Sequence, residues 1–539
     1  MLTEYGLDAA ASNQRRDLAV RSQPSEAATP AATRKRNSLA SARSLAGRLR
    51  LWQARHSLEA IYASAAAMAG GWLFLFWRYS LFRVGKVPRF GFGEVKPESQ
   101  LALDLAAFVL IWAGYLGGYH FLRRSRKWIG AMLGAIAGSV LLAVVLNALL
   151  YPMGALDFYH YLMTVDMAFR HHVNPYLVTY RQLPAPDVWA KYGFVFNLPL
   201  GYGPGWLLLS LLPAPLAGLT DVMRTVFVYK GYTLLLFAGT AVAIWWQQGK
   251  GRAGLLAAYL FAANPLVLFE GLANAHNDVM VALFLVLAVV ALEKRSLLAL
   301  PALVASALIK FTTAPLGLLF LAWMIYRRWP LKRVLASAAL CLPVMAAAIL
   351  PFWSGGRLIG GMMRGSTAYL RTFYSSSLLS LGREWAIVSG RADPNALIRS
   401  GVLILAALTI LIVALSRRRT SPIPAALAIL LLATQLATNL FPWYLVTVVP
   451  LIAMYNEEQE RWYLFMATLL GLVYYPISTW VWARLPKDPP AVHIYQALLL
   501  TVPMLVYLEY RLGQFLLPHL RFTRRPRGMD RHYPPLPGA

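Results

Sequence analysis

The sequence predicts an all-α polytopic membrane protein, a bundle of about 14 transmembrane helices with outward-facing juxtamembrane helices and loops. Three observations carry this. Of the 539 residues, 58% are hydrophobic and only 14% are charged, against about 25% charged in an ordinary soluble chain. Apolar runs recur along the chain, and a spanning helix needs about 20 apolar residues. Short basic clusters punctuate those runs and account for much of the formal charge of +28. Together these exclude a disordered chain, a coiled coil and a string of soluble domains.

Residues 1–55 are polar, basic and rich in Ala and Ser. They read as a disordered cytoplasmic tail. The first 30 residues contain no apolar core, so no cleavable signal peptide is expected. Two apolar runs, 60–77 and 101–121, fall within 56–128 and precede the main body, 129–516. That body holds runs near 129–151, 225–246, 254–270, 279–293, 296–310, 312–326, 333–352, 397–416, 422–438, 443–455, 461–482 and 492–516. A basic tail, 517–539, is expected in the cytoplasm. The single cysteine, Cys341, lies inside an apolar run and excludes a disulfide framework or a Cys-based metal site within one chain.

The basic clusters set the topology. They lie at Arg123–Lys127, Lys250 and Arg252, Lys294 and Arg295, Arg327–Arg333, Arg417–Arg419 and beyond Arg521. With the N-terminus inside, every cluster falls on the cytoplasmic side if 203–219, which holds Pro204, Pro213 and Pro215, lies on the outer face without crossing. Both termini are then cytoplasmic. The long loops 152–224 and 353–396, with the turns at 271–278, Lys310 and 439–443, face outward. This distribution argues against nucleic acid as a partner and makes the lipid bilayer one, because the cations flank apolar runs.

Polar residues collect on the outward segments. Asp157-Phe158-Tyr159-His160-Tyr161 follows the third run and leads to Asp166 and Arg170-His171-His172-Val173-Asn174-Pro175-Tyr176. An acid at the membrane boundary is partly desolvated, which raises its pKa and suits it to accept a proton. The competing reading is a helix-terminal Asp within an aromatic belt. Glu270-Gly271-Leu272-Ala273-Asn274-Ala275-His276-Asn277-Asp278 is too polar for a simple turn. Asp278 can cap the next helix, and a divalent metal held by His276 and Asp278 has only these two side chains behind it.

Lys310 lies between two runs, either as a point charge for phosphate or snorkelling to headgroups. The loop 353–396 carries Arg357, Arg364, Arg371, Arg383 and Arg391, against the usual charge bias. Guanidinium forks suit an anionic ligand; the other reading is a solvated loop. Asn439-Leu440-Phe441-Pro442-Trp443-Tyr444 supplies either an interfacial anchor or a surface for stacking a sugar.

Asp157 through Tyr161, Asn174-Pro175-Tyr176, Tyr202-Gly203-Pro204, Ala275-His276-Asn277-Asp278, Lys310 and Phe441-Pro442-Trp443-Tyr444, in this order, resemble the GT-C superfamily of membrane glycosyltransferases. The branch resembled is the bacterial polyprenyl-phosphate-mannose-dependent α-mannosyltransferases, over roughly residues 129–480. The resemblance implies a GT-C-like catalytic core in a bacterial plasma membrane, with the active site on the outer face. It implies a polyprenyl-phosphate-linked sugar donor, with mannose expected, a glycan or glycolipid acceptor, and inversion at the sugar. No other cofactor is implied.

Asp157 would be the general base, and Lys310 with Arg371 would stabilise charge on the leaving phosphate. His276, Asn277 and Asp278 would orient sugar hydroxyls. Tyr161, Asn174 and Tyr176 would shape the first outer loop, and Trp443 and Tyr444 would line the sugar site. His172 stands where relatives often carry Gly, so a differently shaped loop is expected. The alternative is a flippase or transporter of a lipid-linked sugar, which should carry its ionisable groups at mid-membrane depth. A membrane acyltransferase is a third reading, for which no specific His/Asp pairing is present.

Overall fold

The computed structural model describes residues 58–84, 98–125, 130–154, 157–183, 188–192, 197–372, 377–391, 393–437, 440–484 and 489–520. The expected tail 1–55 and most of 517–539 lie outside them. Among the described residues every apolar run of the sequence is helical, and no strand is formed.

Length divides these helices into two groups. Seven are long and apolar enough to cross a membrane: Leu58–Tyr79, Gln100–Arg124, Gly130–Ala148, Val222–Gln247, Leu331–Phe352, Asn395–Arg418 and Glu458–Val481. An eighth crossing is added if Arg252–Ala262 and Pro265–Ala273, bent by 48°, form one broken span. Ala299–Ile309, Phe311–Tyr326, Ile423–Gln435 and Pro442–Tyr455 are apolar but shorter. The chain is thus an all-α polytopic membrane protein, and the expected fourteen crossings exceed those that meet the length test.

Segment 203–219 forms two pieces, Pro204–Leu211 and Ala214–Ala217. Pro204 stands at the first helical position, where its missing N–H is harmless. Gly218, at φ 72°, ends the second piece in the left-handed conformation. Eight residues extend only about 12 Å, far short of a bilayer.

Asp278–Glu293 forms the centre of the bundle. It is apolar on nearly every side and packs against Ala299–Ile309, Val222–Gln247 and Leu445–Tyr455. Outer surfaces expose Leu235, Val242, Leu342, Val402, Leu403 and Ile410. In water such a surface would associate; against acyl chains it is matched to its solvent.

The broken span has a local cause. Asn264 accepts hydrogen bonds from the Leu266 and Val267 amides at 3.0 and 3.1 Å, while Pro265 has no amide hydrogen to donate. The Asn264 amide nitrogen also donates to Thr468 at 2.8 Å. The chain restarts and widens into a π turn over Leu268–Ala273, a form often found at functional sites.

Helix connectivity gives the bundle two unlike ends. At one end, arginines bind backbone carbonyls of other segments. Arg252 donates to the Leu122 and Arg123 carbonyls, and Arg295 to that of Arg327. Arg327 donates to the Arg419 and Thr420 carbonyls, and Arg419 to that of Gln514. Carbonyls in or just past the last turn of a helix, such as those of Leu122, Arg123 and Arg327, lack intrahelical partners, and that of Gln514 is freed because Pro518, four residues on, has no amide hydrogen to donate. The other end gathers Asp157, Glu270 and Asp278 with His276 and Lys310.

Candidate active site

Asp157 opens the helix Asp157–Phe169, where an acid suits the positive end of the helix dipole. Its carboxyl is 16% exposed. Burial pushes its pKa up to about 6; Lys310 pulls it down and Asp278 pushes it up. Asp157 is thus a weakly hydrated carboxyl that reaches the surface and titrates near neutrality.

His276 lies beside it, with Nδ1 3.9 Å from Asp157 Oδ2. On its other edge, His276 Nε2 is 3.5 Å from Glu270 Oε2. The ring is buried, and burial followed by the nearby Lys310 charge holds its pKa well below the usual histidine range. A neutral imidazole carries one N–H and one bare nitrogen. With Nε2–H turned to Glu270, the bare Nδ1 faces Asp157.

Glu270 is fully buried and accepts a hydrogen bond from Asn274 Nδ2 at 2.8 Å. Asn274 Oδ1 in turn accepts from the Gly154 amide at 3.0 Å. The π turn delivers Glu270 to this position, and the chain then passes through Ala275 at φ 52°. A left-handed non-glycine residue costs of order 1 kcal/mol or more and recurs at functional sites.

Lys310 ends the helix Ala299–Ile309, with Nζ 2.9 Å from each oxygen of Asp278. Its ammonium also lies 3.9 Å from the centre of the Tyr444 ring. Burial disfavours the charge on Lys310, but Asp278, Tyr444 and Asp157 together outweigh this and raise its pKa. Gly203 makes the packing around this turn possible. A Cβ there would lie 1.9 Å from the Leu308 carbonyl oxygen, and the Gly203 amide donates to the Ile309 carbonyl at 3.2 Å.

Trp443 stacks on His276 with centroids 4.2 Å apart and planes at 18°. Phe441 stacks on Trp443 at 4.3 Å and 12°. Two parallel neighbours this close cover both faces of the indole. Trp443 is half-buried and supports the His276 ring within the site.

Asn174 and Tyr176 fasten the first loop. Asn174 donates to the Phe352 carbonyl at 2.9 Å and accepts from the Tyr176 amide at 3.1 Å. Tyr176 is fully buried against Phe352 and presents no surface to a ligand. His172 sits at φ 52°. The chain thus takes, with a histidine, the left-handed turn that glycine takes without cost.

Tyr161, Trp206, Tyr229, Tyr232, His276 and Asn277 border a small cavity of about 20 Å³, room for about one water. The Asn277 amide is buried with neither polar atom hydrogen-bonded, so it has bonds to offer a hydroxyl or a water. Among the described residues, no three His, Cys, Asp or Glu side chains converge on a metal position. Of the two expected ligands, Asp278 is bound to Lys310 and His276 lies between Asp157 and Glu270. The Arg371 side chain lies outside the described residues, as does Asn439. Arg357, Arg364 and Arg391 are exposed.

The structure thus joins Asp157, His276, Asp278, Lys310, Trp443 and Tyr444 of the expected set. It adds Glu270 and Asn274, which the sequence places in the same polar turn without distinguishing their roles. Residues 60–327, about half of the chain, match the family model described as alpha-(1->6)-mannopyranosyltransferase, N-terminal domain. No curated protein and no solved structure matches the chain. The match spans Asp157, Glu270, His276, Asp278 and Lys310, and the chain belongs to this family of membrane mannosyltransferases, which are glycosyltransferases.

Proposed function

We propose that this protein is an inverting α-mannosyltransferase that takes mannose from a polyprenyl-phosphate donor and passes it to a glycan or glycolipid on the outer face of the membrane. The observation that carries this is a boundary carboxylate titrating near neutrality, Asp157, beside a neutral imidazole and the Lys310–Asp278 pair. The family description favours an α-(1→6) product. Inversion to an α product requires a donor whose phosphate is β-linked.

In the reaction, an acceptor hydroxyl gives its proton to Asp157 as its oxygen bonds to the anomeric carbon. The bond from that carbon to the phosphate oxygen breaks, and the electron pair leaves with the polyprenyl phosphate. Lys310 stabilises the charge gained by that phosphate. Two of its three protons face Asp278 and one remains, so an arginine from the outer loop, Arg371 first, is expected to share the work. Asn277 and the tyrosines of the adjoining cavity orient sugar hydroxyls.

The shorter apolar helices cross the membrane with local thinning, giving about fourteen crossings. The arginine end then faces the cytoplasm and the acid end faces outward. The test is transfer of radiolabelled mannose from polyprenyl-phosphate-mannose in membranes, comparing the native protein with Asp157→Asn. Transfer lost only in the variant is the expected result. Full transfer by Asp157→Asn would overturn the base assignment, and none by the native protein across a panel of lipid-linked sugars would favour a carrier.

A further inference from the structure

Lys230 lies in the apolar helix Val222–Gln247 and is 2% exposed. Its ammonium donates to three backbone carbonyls: Leu150 at 2.6 Å, Ala273 at 2.7 Å and Leu272 at 3.0 Å. Among the described residues no carboxylate pairs with it. A buried cation is costly unless its protons are satisfied, and an ammonium has three. All three are engaged, so Lys230 has no free proton for a phosphate.

The acceptors belong to two segments. Leu150 lies seven residues before Asp157, just beyond the helix Gly130–Ala148. Leu272 and Ala273 close the π turn that carries Glu270, and His276 follows three residues later. The carbonyl end of a helical turn carries partial negative charge, which suits a cation. The Gly154–Asn274 hydrogen bond is a second tie between the same segments.

We propose that Lys230 is a positioning residue: one buried ammonium fixes the segment bearing Asp157 against the segment bearing Glu270 and His276. The proposal rests on the reading of Asp157 as the reacting carboxylate. It makes the spacing of Asp157 and His276 depend on a side chain that touches neither. Without the ammonium, three carbonyls lose their partner, and the segments separate enough to admit water.

One test does not require transfer activity. In detergent, Asp157→Cys is introduced into a Cys341→Ser background, and its modification by a charged methanethiosulfonate is timed with Lys230 and with Lys230→Met. Lys230→Met should speed modification about tenfold by opening the segments. Lys230→Gln, which keeps two donors, should give a smaller increase and serves if the Met variant does not accumulate. An unchanged rate in a folded variant overturns the proposal.

A second test uses the native Asp157. In Lys230→Met, kcat per folded molecule should fall about 100-fold, with the KM for donor little changed. The acid limb of the pH profile should move down toward the ordinary carboxylate range as Asp157 rehydrates. A residue that only stabilises the fold would lower the melting temperature and leave the modification rate and acid limb in place, which also overturns the proposal. If the native protein transfers no mannose, the mannosyltransfer reading fails separately, and the modification rates still decide the role of Lys230.

Discussion

Lys310 and Asp278 form a two-point pair, with the ammonium 2.9 Å from both carboxylate oxygens. The side chains are 11% and 1% exposed, so the pair lies in a low-dielectric setting where losing one partner strands the other. Lys310→Met should reduce kcat about 100-fold or more by removing a fixed positive charge from the leaving group. Asp278→Asn should cost about 3 kcal/mol of stability through the unpaired ammonium. Thermal denaturation and kinetics should place these effects on different parameters, and the double variant should be more stable than the sum of the single losses implies.

Asp157 acts as a base only when ionised, and its pKa is raised to about 6. Activity should therefore fall about tenfold per pH unit below about pH 6 and level off above it. The same shift has a stability consequence of opposite sense. A carboxyl whose folded pKa lies above its unfolded value is held more weakly as an anion, so it costs stability as pH rises through that window and the cost is absent in acid. Asp157→Asn should then abolish transfer while raising stability at neutral pH by up to about 3 kcal/mol. Melting curves at pH 4 and pH 7 check the sign, and the gain should shrink to about 0.5 kcal/mol at the lower pH.

His276 relies on Glu270 for its tautomer and on Trp443 for its plane. Trp443→Phe preserves a stacking face and should retain most activity. Trp443→Ala removes it and should lower kcat about tenfold or more. Ring-pair energies of about 1 kcal/mol imply that both variants fold. Equal rates in the two variants would assign the indole to another task.

His172 and Gly203 make paired backbone predictions. His172→Gly relieves a left-handed residue and should stabilise the protein by about 1 kcal/mol, with activity retained. Gly203→Ala places a Cβ against the Leu308 carbonyl and should destabilise by about 1–3 kcal/mol. It should also lower activity, because the displaced turn carries Lys310. Melting temperatures and transfer rates measured together check both.

The helices were legible because the apolar runs state their own positions. Whether a run spans was not, since the Asn264–Pro265 break and the short helix Ala299–Ile309 depend on packing partners distant in sequence. The acid, the imidazole and the lysine were legible as polar groups at the ends of runs. Their pairing was not: Gly154 and Asn274 meet across 120 residues, and Asp278 and Lys310 across 32. Trp443 was legible as either an interfacial anchor or a stacking surface, and only the fold places it between His276 and Phe441. Lys230 left a signal that was passed over, a single cation inside an apolar run, where an ionisable group calls for an explanation. The alpha-mannosyltransferase family model ends at residue 327, so Trp443 and Tyr444 lie outside the matched region.

The arginines at the end remote from Asp157 give two jobs to the same atoms. As charges, they are signals that orient a chain during insertion. As donors, Arg252 and Arg327 each reach two carbonyls of another segment through one terminal nitrogen, and Arg419 reaches the carbonyl of Gln514. Lysine would keep the signal and lose the planar guanidinium placed on those carbonyls. A lysine-substituted chain should therefore enter the membrane the right way round and then hold its hairpins together less firmly, separating how the protein is threaded from how it is fastened.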